Sequence, residues 1–250
     1  MLTIARYALI LNLFFLFACK KNIATAPTPK DAIYSQYDAF DLQAEGMNLF
    51  NTQPEKAAPA FLKAAEAYLQ NKMPKDAGIC LGLVAHLYQE KFQKPDSALI
   101  LSQKALDYAL QSNDTLNTGH SYSYTGFLTG ILGNPDKGIE LINKSFPYYE
   151  MMRNKDGQAA ARYDMARVYG ENGKWAEAMS ALNESTAHFK EKTNLQRVFN
   201  NNVYAMKIFK STNNSSEYKR VVDENEYLIK TGKINPVLQQ KYVDMLEKTK

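Results

Sequence analysis

Cysteine is nearly absent from this 250-residue chain: Cys19 and Cys80 are the only two, too few for a disulfide framework to hold a fold together. Histidine is scarce as well. His86, His120 and His188 lie far apart, with no carboxylate or cysteine at metal-ligand spacing, so no metal site is expected. No Gly-rich phosphate loop follows a strand pattern, no Gly-x-Ser-x-Gly elbow occurs, and no two carboxylates stand in a recognisable acid–base setting. Neither a cofactor nor catalytic residues are therefore expected. An excess of one charge is also missing. The 30 Lys+Arg against 26 Asp+Glu leave a net +4, without the clustered basic face that nucleic acid requires. Lysines and acids alternate instead, as at Glu184, Lys190, Glu191 and Lys192, which is the pattern of a solvated face.

Long apolar runs are lacking too, with one exception at the start. After Arg6, the stretch from Tyr7 to Phe17 is interrupted only by Asn12. About eleven residues make a helix of roughly 16 Å, well short of the roughly 30 Å hydrocarbon core, so this is a signal-peptide core rather than a span. The residues Leu16-Phe17-Ala18-Cys19 resemble a bacterial lipobox, which implies a signal peptide over residues 1–19 and lipidation of Cys19. The alternative is an ordinary secretory signal cut near Ala18, leaving Cys19 a free thiol. Residues 20–32, with Lys20-Lys21 and then Ala24-Thr25-Ala26-Pro27-Thr28-Pro29, read as a Pro-rich tether without helical period. In lipoproteins of two-membrane bacteria, lysine rather than aspartate after the cysteine is consistent with the outer membrane, and the resemblance implies a protein facing the periplasm. Cys80, inside the helical run from Ile79 to Tyr88, is expected to be a small buried residue.

The strongest positive signal is internal repetition. A small residue flanked by bulky ones is followed twelve or thirteen residues later by a second small residue: Gly46 with Ala58, Ala85 with Ala98, Gly126 with Gly138, Ala166 with Ala178. Successive first members are 39, 41 and 40 residues apart. Two antiparallel helices joined by a tight turn approach closely only where both carry a small side chain, so each pair predicts a helical hairpin. The intervening turns, Asn51-Thr52-Gln53-Pro54, Lys94-Pro95-Asp96, Gly133-Asn134-Pro135-Asp136 and Asn172-Gly173-Lys174, put proline in three cases where a second helix begins. Asp76, Asp114 and Asp156 stand where first helices start, as caps or favourable charges. A fifth unit keeps its first small residue, Ala205, but has Glu217 or Tyr218 in place of the second.

The fourth unit, Arg162-Tyr163-Asp164-Met165-Ala166-Arg167-Val168-Tyr169 followed by Trp175-Ala176-Glu177-Ala178 and Leu182, resembles the tetratricopeptide repeat, with its Leu-Gly, Tyr, Ala and bulky apolar positions. The resemblance runs roughly from Tyr34 to Ala187. A period near 40 exceeds the family's period of about 34, so the helices are about one turn longer. It implies an all-α, right-handed superhelix of about five antiparallel hairpins over residues 33–250, closed by a C-terminal capping helix from about Pro236 to Lys248.

In such superhelices a stripe along each first helix lines a concave groove. Counted six and three before and one and four after the small residue, the stripe is Phe40, Gln43, Met47 and Phe50 in the first unit. It continues as Ile79, Gly82, His86 and Gln89, then His120, Ser123, Phe127 and Gly130, then Ala160, Tyr163, Arg167 and Gly170, then Phe199, Asn202, Met206 and Phe209. Aromatic residues and Met among amides and a single Arg suit a peptide or protein segment. Any one of these aromatics could instead be packed against neighbouring helices. The expectation is a membrane-tethered scaffold that recruits a partner protein through this groove. The alternative is a peptide-sensing subunit.

Overall fold

A computed structural model describes residues 35–247. The lipobox, Cys19, the tether and the first residues expected in the solenoid lie outside them. Helices α1 (Gln36–Leu49) and α2 (Pro54–Gln70) form the first hairpin, and α3 (Pro74–Glu90) and α4 (Pro95–Gln111) the second. The third is α5 (Thr115–Ile131) with α6 (Pro135–Met151), the fourth α7 (Lys155–Glu171) with α8 (Trp175–Glu191), and the fifth α9 (Leu195–Ser211) with α10 (Ser215–Lys230). A last helix, α11 (Pro236–Glu247), follows. The described residues contain no strand, and each helix packs on the next in a superhelical stack of hairpins.

The period has a local origin. Helices α2 to α9 are each 17 residues long. They are separated by short turns in which one residue is left-handed, and from the middle of the chain onward these fall every twenty residues: Asn113, Gly133, Arg153, Gly173, Thr193 and Asn213. The residue after each turns its backbone N–H back to close the preceding helix, as from Asn154 to the Tyr149 carbonyl at 2.8 Å and from Asn194 to that of Phe189 at 2.9 Å. Except at Lys174, its side chain then opens the next helix: Asp114 accepts from the Asn117 N–H at 3.0 Å and Asn154 from that of Gly157 at 2.9 Å. Two such half-periods make the forty-residue unit. Pro54, Pro95 and Pro135 occupy first helical positions as the turns predicted, Asp114 is a cap, and Asp76 and Asp156 lie in first turns.

The paired small residues stand at the close approaches. A Cβ on Gly126 would sit 2.6 Å from the Gly138 carbonyl oxygen, and one on Gly46 would meet the Phe61 ring at 2.7 Å. Gly130 shares in the α5–α6 approach, 2.7 Å from a Cβ built on Gly138, and also opens a contact between the first helices α5 and α7, where its own Cβ would strike Val168 at 2.5 Å. The apolar interior is a succession of clusters along the stack, around Phe61 and Leu87, around Leu128 and Ile142, and around Leu182 and Phe199, as expected when each hairpin packs mainly on its neighbours. Cys80 is fully buried in the first of these, and burial with Asp76 nearby pushes its thiol up to about 12, far from a reactive thiolate. Helix α11 begins 41 residues after α9, so it fills the place of a sixth first helix. Its Tyr242 ring meets Phe199 edge-on at 5.5 Å.

Candidate binding cavity

The first helices line one face of the stack, and on that face a cavity of about 780 Å3 opens among α1, α3, α5, α7, α9 and α11, with α4 behind it. Its origin is a difference in spacing. Gly130 lets α5 and α7 come together, whereas between α3 and α5 the wall is completed from behind by Ser102, Ala105 and Ala109 of α4. Gly82 keeps the α3 side of the cavity without a side chain. A Cβ on Gly82 would have only the Ala105 methyl within reach, at 3.9 Å.

Nine of the residues expected in the groove line this cavity: Phe50, Ile79, Gly82, His86, His120, Ser123, Ala160, Tyr163 and Arg167. The others do not. Phe40 and Met47 are exposed on α1, outside the cavity, and Gln43 accepts a 2.5 Å hydrogen bond from the Tyr68 hydroxyl. Gln89 is partly buried, and its Oε1 has no hydrogen-bond partner among the described residues. Phe127 is interior, 1 % exposed, because the α5–α7 approach lays the Arg167 guanidinium flat over its ring at 3.8 Å. Asn202 and Met206 are buried too, and Met206 faces α10, where its Sδ accepts from Asn225 Nδ2 at 3.8 Å.

The cavity also gathers residues that the stripe left out. Asn117, Ser121 and Tyr124 of α5 and Gln196 and Asn200 of α9 stand nine, five or two places before the small residue of their helix. That is a second row of the same helical surface, so the lining face is wider than four positions per turn pair. Asp164 belongs to this row. Glu90 reaches in from the end of α3 and Arg197 from the start of α9.

These groups form a charged wall. Arg167 donates to a Glu90 oxygen at 3.1 Å, a partly buried pair joining residues 77 positions apart. Burial opposes the Arg167 charge, but Tyr163, Glu90 and Asp164 outweigh it and hold the guanidinium protonated. The Ser123 hydroxyl donates to one Asp164 oxygen at 2.7 Å, and the other oxygen has no hydrogen-bond partner among the described residues. Burial pushes the Asp164 carboxyl up to about 6, a rise that Arg167, Ser123 and Arg197 oppose and Glu90 aids. His120 is held below its usual value by burial and by Arg197. Arg197 itself makes no ion pair among the described residues; its guanidinium lies 5.8 Å from the Phe189 ring. At the other end Lys75 meets Asp114 at 2.9 Å. Beside the charges runs a ladder of rings: Phe50 to His86 at 6.0 Å, His86 stacked on Tyr124 at 5.8 Å, and Tyr124 to Phe127 at 5.9 Å. Among the described residues, no group of three or more His, Cys, Asp or Glu could hold a metal ion, and no helix is long and apolar enough to cross a membrane.

No protein-family model matches the chain, and no curated protein matches its sequence. Solved structures do match its shape. One is a Rap protein complexed with Competence and Sporulation Factor, at TM-score 0.69 and 14 % identity over 84 % of this chain; the match spans 64 % of the Rap chain, so this chain covers less than two thirds of its length. Two structures of a Podosopora anserina kinesin light chain of nearly identical TPR-like repeats match at TM-score 0.55 and 11 % identity. They cover 77 % and 80 % of this chain and 95 % and 98 % of theirs. At these identities the likeness is one of fold. The chain has the tetratricopeptide-like repeat fold, an all-α superhelix of helical hairpins.

Proposed function

We propose that the protein is a non-enzymatic binding module, tethered to the bacterial envelope through a lipidated Cys19, that takes a segment of a partner protein into the concave cavity. The observation that carries this reading is the cavity itself, to which every first helix contributes and whose wall keeps unspent hydrogen-bonding capacity at Asp164 and an unpaired charge at Arg197. Pre-formed concavities with a ring-lined side and a few convergent polar groups suit ligand capture. That a Rap protein of the same fold was crystallised with Competence and Sporulation Factor supports a binding role for this architecture. Lipidation rests on Leu16-Phe17-Ala18-Cys19, and the lysines after it favour an outer-membrane position facing the periplasm.

The size of the cavity favours a second reading. About 780 Å3 lies within the range of small-ligand pockets, roughly 300–1,000 Å3, so the segment could be a short free peptide and the protein a sensing subunit. Affinity purification of the tagged protein from detergent-solubilised membranes distinguishes the two. A stable stoichiometric envelope protein supports the scaffold, and a short peptide supports the sensor. Recovery of neither would sink both. Labelling cells with a clickable fatty acid tests the tether: the wild type takes up label and Cys19→Ser does not. A wild type without label would make the protein an exported one without a lipid.

A further inference from the structure

The carboxyl of Asp164 is an incompletely satisfied charge in the cavity wall. It projects from α7 toward α5, where Ser123 satisfies one oxygen and leaves the other open. The groups felt at Asp164 or felt by it come from every neighbouring element: Glu90 of α3, Tyr124 of α5, Tyr149 of α6, Tyr163 and Arg167 on α7 itself, and Arg197 of α9. His120 of α5 lines the same cavity and is held toward its neutral form. Arg167 is engaged by Glu90 and stacked on Phe127, so its charge is largely spent. Neither arginine hydrogen-bonds to Asp164, and the carboxyl stays well above its ordinary value of 3.8. An incoming cation would relieve that carboxylate. The faces of Tyr124 and Tyr163, on the same cavity wall, are surfaces on which an ammonium or guanidinium is also favoured. An anion entering here would meet Glu90 and Asp164 together.

We propose that the segment bound in the cavity carries a cationic group, a lysine or arginine side chain or a free amino terminus, that docks on the open oxygen of Asp164. This rests on the reading of the cavity as a peptide site and specifies the chemistry of its occupant. Because the docked cation stabilises the carboxylate, capture weakens as acid protonates Asp164. Protonation of His120 in the same cavity adds a like charge and acts in the same direction.

The test uses the full chain immobilised in detergent at pH 7.5 and three pools of random hexapeptides amidated at the C-terminus. The first is N-acetylated with lysine fixed at one position. The second has a free amino terminus and norleucine there, and the third is N-acetylated with norleucine and contains no basic residue. The wild type should retain the first or the second pool about tenfold more than the third, which corresponds to about 1.4 kcal/mol, and the favoured pool identifies which cation is read. Asp164→Asn, checked by circular dichroism to be folded, should abolish the preference. A shift of the wild type to pH 5 should shrink it, which tests the carboxylate without any substitution. Equal retention of all three pools would overturn the cation proposal while leaving peptide binding intact. A preference that survives Asp164→Asn or pH 5 would overturn the role of Asp164. Retention of no pool would overturn the proposal and the peptide-binding reading together.

Discussion

Replacing Asp164 with asparagine should make the ligand-free protein more stable at neutral pH, and the gain should grow with pH. The native carboxyl titrates at about 6 against an ordinary value of 3.8. The folded state therefore holds a proton over an interval in which the unfolded state has released it. A raised carboxylate pKa contributes instability that is absent below the unfolded value, accumulates through the interval and is complete above the folded value. Each unit of difference is worth about 1.4 kcal/mol, so between pH 4 and pH 7 the wild type should lose about 2–3 kcal/mol from this group. Asparagine removes the titration and keeps an acceptor for the Ser123 hydroxyl. The assay is urea unfolding of both proteins at pH 4, 5, 6 and 7, comparing the free energies at each pH so that all other groups cancel. The difference between variant and wild type should rise monotonically toward neutral pH. A difference constant to within about 0.5 kcal/mol, or one that falls with pH, would refute the picture of an under-compensated carboxylate in the cavity wall.

Two further substitutions test the packing. Arg167→Ala should cost about 2–3 kcal/mol in urea unfolding, because it leaves Glu90 without its cation and uncovers Phe127. An unchanged stability would mean that the Arg167 contacts with Glu90 and Phe127 contribute little to the fold. Gly126→Ala should cost about 1–3 kcal/mol, since the added methyl meets the Gly138 carbonyl oxygen at 2.6 Å; a neutral result would mean that this hairpin contact is looser than described.

The hairpins were legible in the sequence because each needs a small residue on both helices at nearly constant separation, and Gly126 and Gly138 satisfy that need through their own backbone approach. The twenty-residue rhythm of turns was hidden because its left-handed positions are filled by Asn113, Arg153, Thr193 and Asn213 as well as by Gly133 and Gly173, so no single residue type marks it. The cavity was only half legible. A stripe of four positions per helix found Phe50, Ile79, Gly82, His86, His120, Ser123, Ala160, Tyr163 and Arg167, but it assumed that every first helix presents the same face at the same depth. The close α5–α7 contact sinks Phe127, Asn202 and Met206 are buried, and the adjoining row that carries Tyr124, Asp164 and Asn200 turns inward instead. The Glu90–Arg167 pair joins first helices two units apart, beyond the reach of any local pattern.

Gly82 offers the most direct test that the cavity is the binding site. A Cβ added there makes only an ordinary contact with the Ala105 methyl, at 3.9 Å, and leucine in place of a mid-helix glycine should raise helix stability by up to about 1 kcal/mol. The measurement is capture of the partner or peptide recovered with the wild type, set beside the melting temperature of each protein. Gly82→Leu should melt at the same temperature or higher and capture at least about tenfold less, a loss of about 1.4 kcal/mol or more. Equal capture by a stable Gly82→Leu protein would contradict the account and move the binding surface away from the cavity.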